Sequence, residues 1–206
     1  MTTYYTTQNP VRIMFPNLAK AREVQKGKPP RFGCLVLIKK NSDEHKALKQ
    51  IIIAAMEEKW GKAAALAGRC NPIKDCAVVD KMRDADPEKT TMFDKLDDLN
   101  DYVYFNASSQ NAPGYVDADL NDLIDLSVFQ SGCHVRVNIN AWCWENSGDK
   151  GVSIGLNHVQ FMSEGETLAT GNAAARGSSG AKAVFNLGGA VADASGAAPD
   201  VDAIFG

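Results

Sequence analysis

Between residues 133 and 144, the chemistry changes at every step. His134, Arg136, Asn138, Asn140, Trp142 and Trp144 alternate with Cys133, Val135, Val137, Ile139, Ala141 and Cys143, which are small or apolar. A strand sends successive side chains to opposite faces, so the first set shares one face at about 6.8 Å per step. An ordinary solvated face would carry Lys, Glu and Thr. This one carries a guanidinium, two amides and two indoles. A guanidinium binds phosphate or stacks on a base, and a flat indole is worth roughly 1–3 kcal/mol per stacked base. Packing of one tryptophan under another element competes with that role, because large aromatics are usually mostly buried.

Two further groups fit the same chemistry. Tyr102 and Tyr104 share one face of an aromatic strand and Val103 and Phe105 the other, so a core on the Val-Phe side turns the tyrosines outward. The alternative is a core tyrosine with its hydroxyl at the rim. Arg12, Lys20, Arg22, Lys26, Lys28, Arg31, Lys39 and Lys40 are opposed only by Glu23 between residues 10 and 40. Residues 1–83 hold 16 Lys+Arg against 7 Asp+Glu, and residues 84–206 hold 6 against 18. The net charge of −3 therefore hides a basic half and an acidic half. Loosely placed cations beside aromatic strands are what a nucleic-acid groove requires. The expected contacts are Arg12, Lys28, Arg31, Lys39, Lys40, Tyr102, Tyr104, His134, Arg136, Asn138, Asn140, Trp142 and Trp144.

Catalytic and metal chemistry find little support. The histidines are His45, His134 and His158, and no G-x-S-x-G, Walker lysine loop or H-E-x-x-H occurs. Gly177-Ser178-Ser179-Gly180 with Lys182 lacks the spacing of a phosphate loop, and the acidic residues at 94–101 match no cation-binding loop. The five cysteines are irregularly spaced and read as reduced, mostly buried thiols. No enzyme activity, metal or cofactor is expected. No apolar run reaches membrane-span length, and the polar start, Met1 to Asn9, does not read as a secretory signal.

The elements that must position these residues follow from pattern. Val11, Ile13 and Phe15 alternate with Arg12 and Met14 as a strand ended by Pro16. Lys20 to Pro30 reads as a basic loop, and Phe32 to Ile38 as a second strand. Ala47, Leu48, Ile51, Ile52 and Ala55 recur at helical spacing, giving a helix near 43–60. Asn41 with Glu44 sketches a capping box, Gly61 a stop, and Lys62 to Ala67 a possible extension. Residues 68–100 read as an irregular excursion. Tyr102 to Ala107 is strand-like and Asn111-Ala112-Pro113-Gly114 a turn. Cys133 to Trp144 and Val152 to Phe161 form a hairpin across Asn146-Ser147-Gly148-Asp149. From residue 171 the chain turns rich in Gly and Ala and is expected to be mostly disordered. This is a mainly β barrel or sandwich with one inserted amphipathic helix.

Separated segments then resemble a known family. Val11-Arg12-Ile13-Met14-Phe15-Pro16-Asn17-Leu18, Tyr104-Phe105-Asn106-Ala107, Pro113-Gly114-Tyr115-Val116-Asp117, Ser131-Gly132-Cys133 and Gly151-Val152-Ser153-Ile154-Gly155-Leu156-Asn157-His158-Val159-Gln160 resemble bacteriophage single-stranded DNA-binding proteins. The resemblance covers residues 10–168. It implies an OB-fold core at 10–170, between a flexible 1–9 segment and the 171–206 tail. It also implies single-strand coating during phage replication, recombination or repair, in the cytoplasm of an infected bacterium. The acidic tail, with Asp200, Asp202, Ile204 and Phe205, is expected to contact replication or recombination proteins, and duplex DNA is a second candidate ligand. A phage assembly protein using the barrel for protein contacts is the competing reading.

Overall fold

A computed structural model describes residues 4–24, 26–61, 70–77 and 99–168. Its strands are β1 Tyr4–Thr6, β2 Val11–Arg22, β3 Arg31–Lys39, β4 Lys74–Asp75, β5 Tyr102–Ser109, β6 Gly114–Val116, β7 His134–Asn146 and β8 Asp149–Ser163; burial alternates along β7 and is continuous through the middle of β3. A single described α-helix, α1, spans Asp43–Trp60. Five strands close a ring in the order β7-β2-β3-β5-β8-β7. β2, β3 and β5 form an antiparallel meander, β8 joins β5 in parallel, and β7 pairs antiparallel with both β8 and β2. A fourth strand that returns beside the first is a Greek key, and the closed five-stranded ring is an OB-fold. The fold class expected from pattern and resemblance is the one observed.

The alternation in β7 explains the barrel core. Val135, Val137, Ile139 and Ala141 point inward and meet Ile13, Val36, Phe105, Ile154 and Val159. Leu48, Ile51, Ile52 and Met56 of α1 join the same cluster. Each such side chain contributes roughly 1.5–3 kcal/mol on leaving water. The β7–β8 hairpin turns through Ser147 (φ 50°) and Gly148 (φ 90°), the pair of positive φ angles a type I′ turn needs.

Three local expectations differ from the structure. First, β2 does not stop at Pro16 but runs to Arg22, so the basic connection is residues 23–30 rather than 20–30. The pairing with β3 slips between Met14 and Asn17, and Phe15 adopts φ 49°. A bulge is where a strand tolerates proline. It also flips side-chain parity: Ile13 is buried, Phe15 is exposed, and Leu18 is buried again. Phe15 therefore faces outward, not into the core with Val11 and Ile13. Second, Tyr4 to Thr6 pair with Asn140 to Asn138 of β7, and the following Thr7 is fully buried. This part of the 1–9 segment is an edge strand. Third, Ser42 rather than Asn41 caps α1, its hydroxyl accepting from His45 N–H at 3.2 Å. Asn41 N–H donates to His45 Nδ1 at 3.0 Å. Burial, with Lys49 and Lys40 nearby, lowers the His45 pKa and keeps that ring nitrogen a free acceptor. Lys62 to Ala67, most of the 68–100 excursion and the whole 171–206 tail lie outside the described residues.

Glu44, expected in a capping box, instead ties the N-terminal segment to α1. Its Oε1 accepts from Asn9 N–H at 2.9 Å and from Asn9 Nδ2 at 2.8 Å. Burial alone would raise this carboxyl, but the Asn9 donors outweigh it and hold the pKa below the ordinary value. Ionised Glu44 therefore stabilises the fold fully above the unfolded value, about 4.3. That contribution is lost as pH falls through the lower folded value. Glu44→Gln is expected to cost about 1–3 kcal/mol at neutral pH and to flatten the acid limb of stability against pH. Urea midpoints across pH check this, and a neutral-pH midpoint equal to wild type would remove the role given to Glu44.

Candidate nucleic-acid interface

The slip at Phe15 creates a site. Phe15 N–H donates to Ser131 Oγ at 2.9 Å, which fixes the bulge, and the ring stands 43% exposed. It borders a groove of about 550 Å³ over the outer face of β3 and β5. The floor is Gly33 and Leu35 of β3 and Tyr104 of β5. Asn17, Asn106 and Ser108 supply polar groups, and Arg31 and Lys74 supply charge at the rim with the exposed Val24. In an OB-fold the second and third barrel strands and the first loop are where oligonucleotides lie. Here these are β3, β5 and the 23–30 connection.

The sheet register extends the groove. Asn17 pairs with Gly33, Gly33 with Ser108, Ser108 with Gly155, Gly155 with Asn140, and Asn140 with Tyr4. These six residues form one row across the five barrel strands and the edge strand β1, and the centre of its barrel part is Gly-Ser-Gly. From β2 to β7 the row spans four inter-strand gaps, about 19 Å. Asn140 accepts from Asn157 Nδ2 at 3.0 Å, and its amide lies over Gly155, where an added Cβ would come within 2.5 Å of Oδ1. Trp142 stands two residues further along the same face of β7 and is 41% exposed. Trp144 is half-buried, its ring packed on Gly151. The hairpin carrying both is held to α1: Trp60 Nε1 donates to Glu145, and Lys150 Nζ sits 5.5 Å from the Trp60 ring centroid.

The structure sorts the residues singled out in the sequence into three groups. Arg31 and Tyr104 line the groove, with Asn140 and Trp142 at the far end of its row. Tyr104 is buried, in a second cluster with Met14, Leu35, Leu37, Cys76 and Leu168, and Tyr102 packs against that cluster. Burial, with Cys76 beside it, raises the Tyr104 hydroxyl pKa.

The second group is occupied within the fold, holding backbone carbonyls or neighbouring side chains. Arg12 Nε and Nη2 donate to the carbonyls of Gly132 (3.3 Å) and Glu166 (2.8 Å). Arg136 Nε donates to Thr7 O (2.8 Å) and its Nη1 to Gln160 Oε1 (3.3 Å). Asn138 Nδ2 donates to Thr6 Oγ1 (2.7 Å), and His134 Nδ1 lies 3.4 Å from Glu164 O.

The third group stands apart from the groove lining. Lys28 is exposed in the 23–30 connection, Lys39 is exposed at the end of β3, and Lys40 pairs with Asp75 at 2.9 Å. Asp200, Asp202, Ile204 and Phe205 lie outside the described residues. Sequence reasoning missed Phe15, Asn17, Lys74, Asn106 and Ser108. The signal available for Phe15 was the switch of apolar parity from odd (Val11, Ile13) to even (Leu18) across Pro16.

The buried thiols Cys34, Cys76 and Cys133 offer no nucleophile to this surface. All five cysteines are free. Burial pushes Cys34 and Cys76 up to about 12 and Cys133 up to about 11, so they stay protonated at neutral pH. Among the described residues no group of three His, Cys, Asp or Glu is placed to hold a metal, and no helix is long and apolar enough to cross a membrane.

Comparison with known proteins follows the same lines. Residues 4–183 match the family model described as Enterobacter phage Enc34, ssDNA-binding protein. A putative protein p50 of Acyrthosiphon pisum secondary endosymbiont phage 1 is 28% identical over 173 residues, covering 81% of this chain and 87% of that one. The single-stranded DNA-binding protein of bacteriophage Enc34, solved in complex with ssDNA, superposes with a TM-score of 0.61 at 22% identity. That match covers 80% of this chain and 88% of the other. Gp2.5, a single-stranded DNA-binding protein encoded by bacteriophage T7, gives 0.50 at 14% identity over 84% and 92%. At these identities the solved structures establish a shared fold.

Proposed function

The chain belongs to the Enterobacter phage Enc34 ssDNA-binding protein family, and we propose that it binds single-stranded DNA without sequence preference, as a non-enzymatic coat for exposed strands during phage DNA replication, recombination or repair. The observation that carries this reading is the groove over β3 and β5, where an exposed phenylalanine stands over a tyrosine floor beside amides and two cations. Aromatic faces accept any base and cations track the backbone, a combination suited to strands of any sequence. The strand enters beside Phe15 and Arg31 and crosses the Gly33–Ser108–Gly155 row toward Asn140 and Trp142. Arg31 and Lys74 meet phosphates. Lys20, Arg22, Lys26 and Lys28 add the field that draws the strand in, with Lys39 and Lys40 further along β3. Arg12, His134, Arg136 and Asn138 act behind this surface, holding its backbone. Such a protein works in the cytoplasm of the infected bacterium.

Titrating oligo-dT into the protein at two salt concentrations tests the proposal. The expected result is quenched tryptophan fluorescence and an affinity that falls by about 0.7 log units per tenfold rise in salt for each phosphate neutralised. Duplex of the same length, expected to bind more weakly, is the control. A signal and mobility that oligo-dT leaves unchanged at low salt would end the single-strand reading and favour the assembly protein.

The tail enters this proposal through Leu168, which is buried against Tyr104 beside the groove. The segment that follows contains Asp200 and Asp202 and ends Ile204-Phe205-Gly206. An anionic segment leaving from that position competes with DNA and offers its apolar tip to replication or recombination proteins. Removing residues 200–206 is expected to tighten oligonucleotide binding a few-fold at low salt, with the difference shrinking as salt screens it. Equal affinities at low salt would remove the competition.

A further inference from the structure

The β6–β7 loop presents apolar side chains that the barrel does not use. Leu120 is 70% exposed and Ile124 93% exposed, and with Val24 at 76% they are the three most exposed large hydrophobics of the described residues. The loop is held rigid from within. Asp117 Oδ1 accepts from the N–H groups of Asp119 and Asn121 at 2.9 Å each, Asp117 N–H donates to Asn121 O, and Leu123 N–H donates to Tyr115 O. Gln160 Nε2 fastens the carbonyls of Asp117 and Ala118 at 3.2 Å. Leu120 is set outward at φ 68°, a conformation a leucine adopts only when its surroundings impose it. Exposed apolar side chains on a fixed loop mark a contact surface.

Charge identifies the occupant. Asp119, Asp122 and Asp125 flank the two apolar residues, and no Lys or Arg occurs between residues 102 and 135. The same protein carries the complementary surface on its 23–30 connection and the adjoining end of β2. Lys20, Arg22, Lys26 and Lys28 are exposed there beside Val24, itself 76% exposed. None of these four cations lines the groove, and among the described residues no ion pair joins them to the loop's carboxylates.

We propose that Leu120 and Ile124 of one copy dock on the basic connection of a second copy, aligning copies head to tail along a single strand. Two different surfaces that complement each other make a heterologous contact, which propagates instead of closing as a pair. This inference rests on the single-strand reading above. It adds the partner, another copy of this chain, and the surface that meets it.

The experiment compares two oligo-dT lengths: one of about 8 nucleotides that holds a single copy, and one of about 60 that holds several. Wild type is expected to fill the long strand cooperatively. Leu120→Ser with Ile124→Ser is expected to keep the short-oligonucleotide affinity and the melting temperature, because both side chains are exposed. It is expected to lose the sigmoidal isotherm and at least about tenfold in long-strand affinity. Asp119→Lys with Asp122→Lys is expected to do the same. Adding Lys26→Glu and Lys28→Glu to that chain restores complementary charge and is expected to restore cooperativity, read as the ratio of long- to short-oligonucleotide affinity because both lysines also belong to the field that draws DNA in. Non-cooperative filling by wild type, or cooperative filling by the Leu120/Ile124 variant, would overturn the proposal and give the loop to a different protein. Failure of wild type to bind the short oligonucleotide would instead overturn the single-strand reading on which the proposal rests.

Discussion

Phe15→Ala is expected to weaken oligo-dT binding by one to two orders of magnitude while leaving the fold as stable as before. The first half follows from the groove: Phe15 is its exposed aromatic, and losing one base–aromatic stack removes about 1–3 kcal/mol. The second half follows from exposure and backbone. The ring contributes little to the core, and alanine meets the same positive-φ constraint as phenylalanine. Tyr104 provides the contrast. It is 5% exposed and packs with Met14, Leu35, Leu37 and Leu168, so Tyr104→Ala loses stability, by about 3–5 kcal/mol for a large aromatic, as well as affinity. Fluorescence or anisotropy titration paired with urea unfolding separates the two. Unchanged affinity for Phe15→Ala would move the binding surface off the β3–β5 groove.

How much of this could be read from residues alone depends on the range of the interactions. β5, β7 and β8 announce themselves because alternation is local, β3 because its apolar run from Phe32 to Ile38 is, and α1 because Ala47, Leu48, Ile51, Ile52 and Ala55 recur at helical spacing. The Asn146-Ser147-Gly148-Asp149 turn is equally local. Phe15 was misplaced because a bulge breaks alternation, and only the pairing with Gly33 across the sheet shows where the phase resets. β1 and β6 are three residues each, too short to carry a period. The roles of Arg12 and Arg136 were invisible for the same reason. Their acceptors, Glu166 and Thr7, lie 154 and 129 residues away, and a cation spent on a distant carbonyl looks in sequence like a cation free for phosphate. The polar face of β7 was read correctly as a face. Its side chains divide only when neighbouring segments are known.

That division leads to the second large effect, which separates the two tryptophans. Trp142→Ala is expected to reduce affinity by about 1–3 kcal/mol for oligonucleotides long enough to cross the whole row. For the shortest strands that fill only the β3–β5 groove, about 4 nucleotides, it should change affinity little. Trp142 is the open ring at the far end, beyond Asn140, which the row reaches after a path of roughly 19 Å around the barrel from β2. Trp144→Ala should instead act on the hairpin. Its ring covers Gly151, which has no side chain of its own to protect the paired backbone, so its removal costs stability first and binding second. Phe15→Ala should weaken short and long strands alike, which gives the two aromatic positions different length dependences. Measuring each variant against a ladder of oligo-dT lengths reads both from one experiment. A Trp142→Ala loss that is the same at every length would place that ring inside the groove rather than at the end of its row, and the path over Gly155 would have to be redrawn.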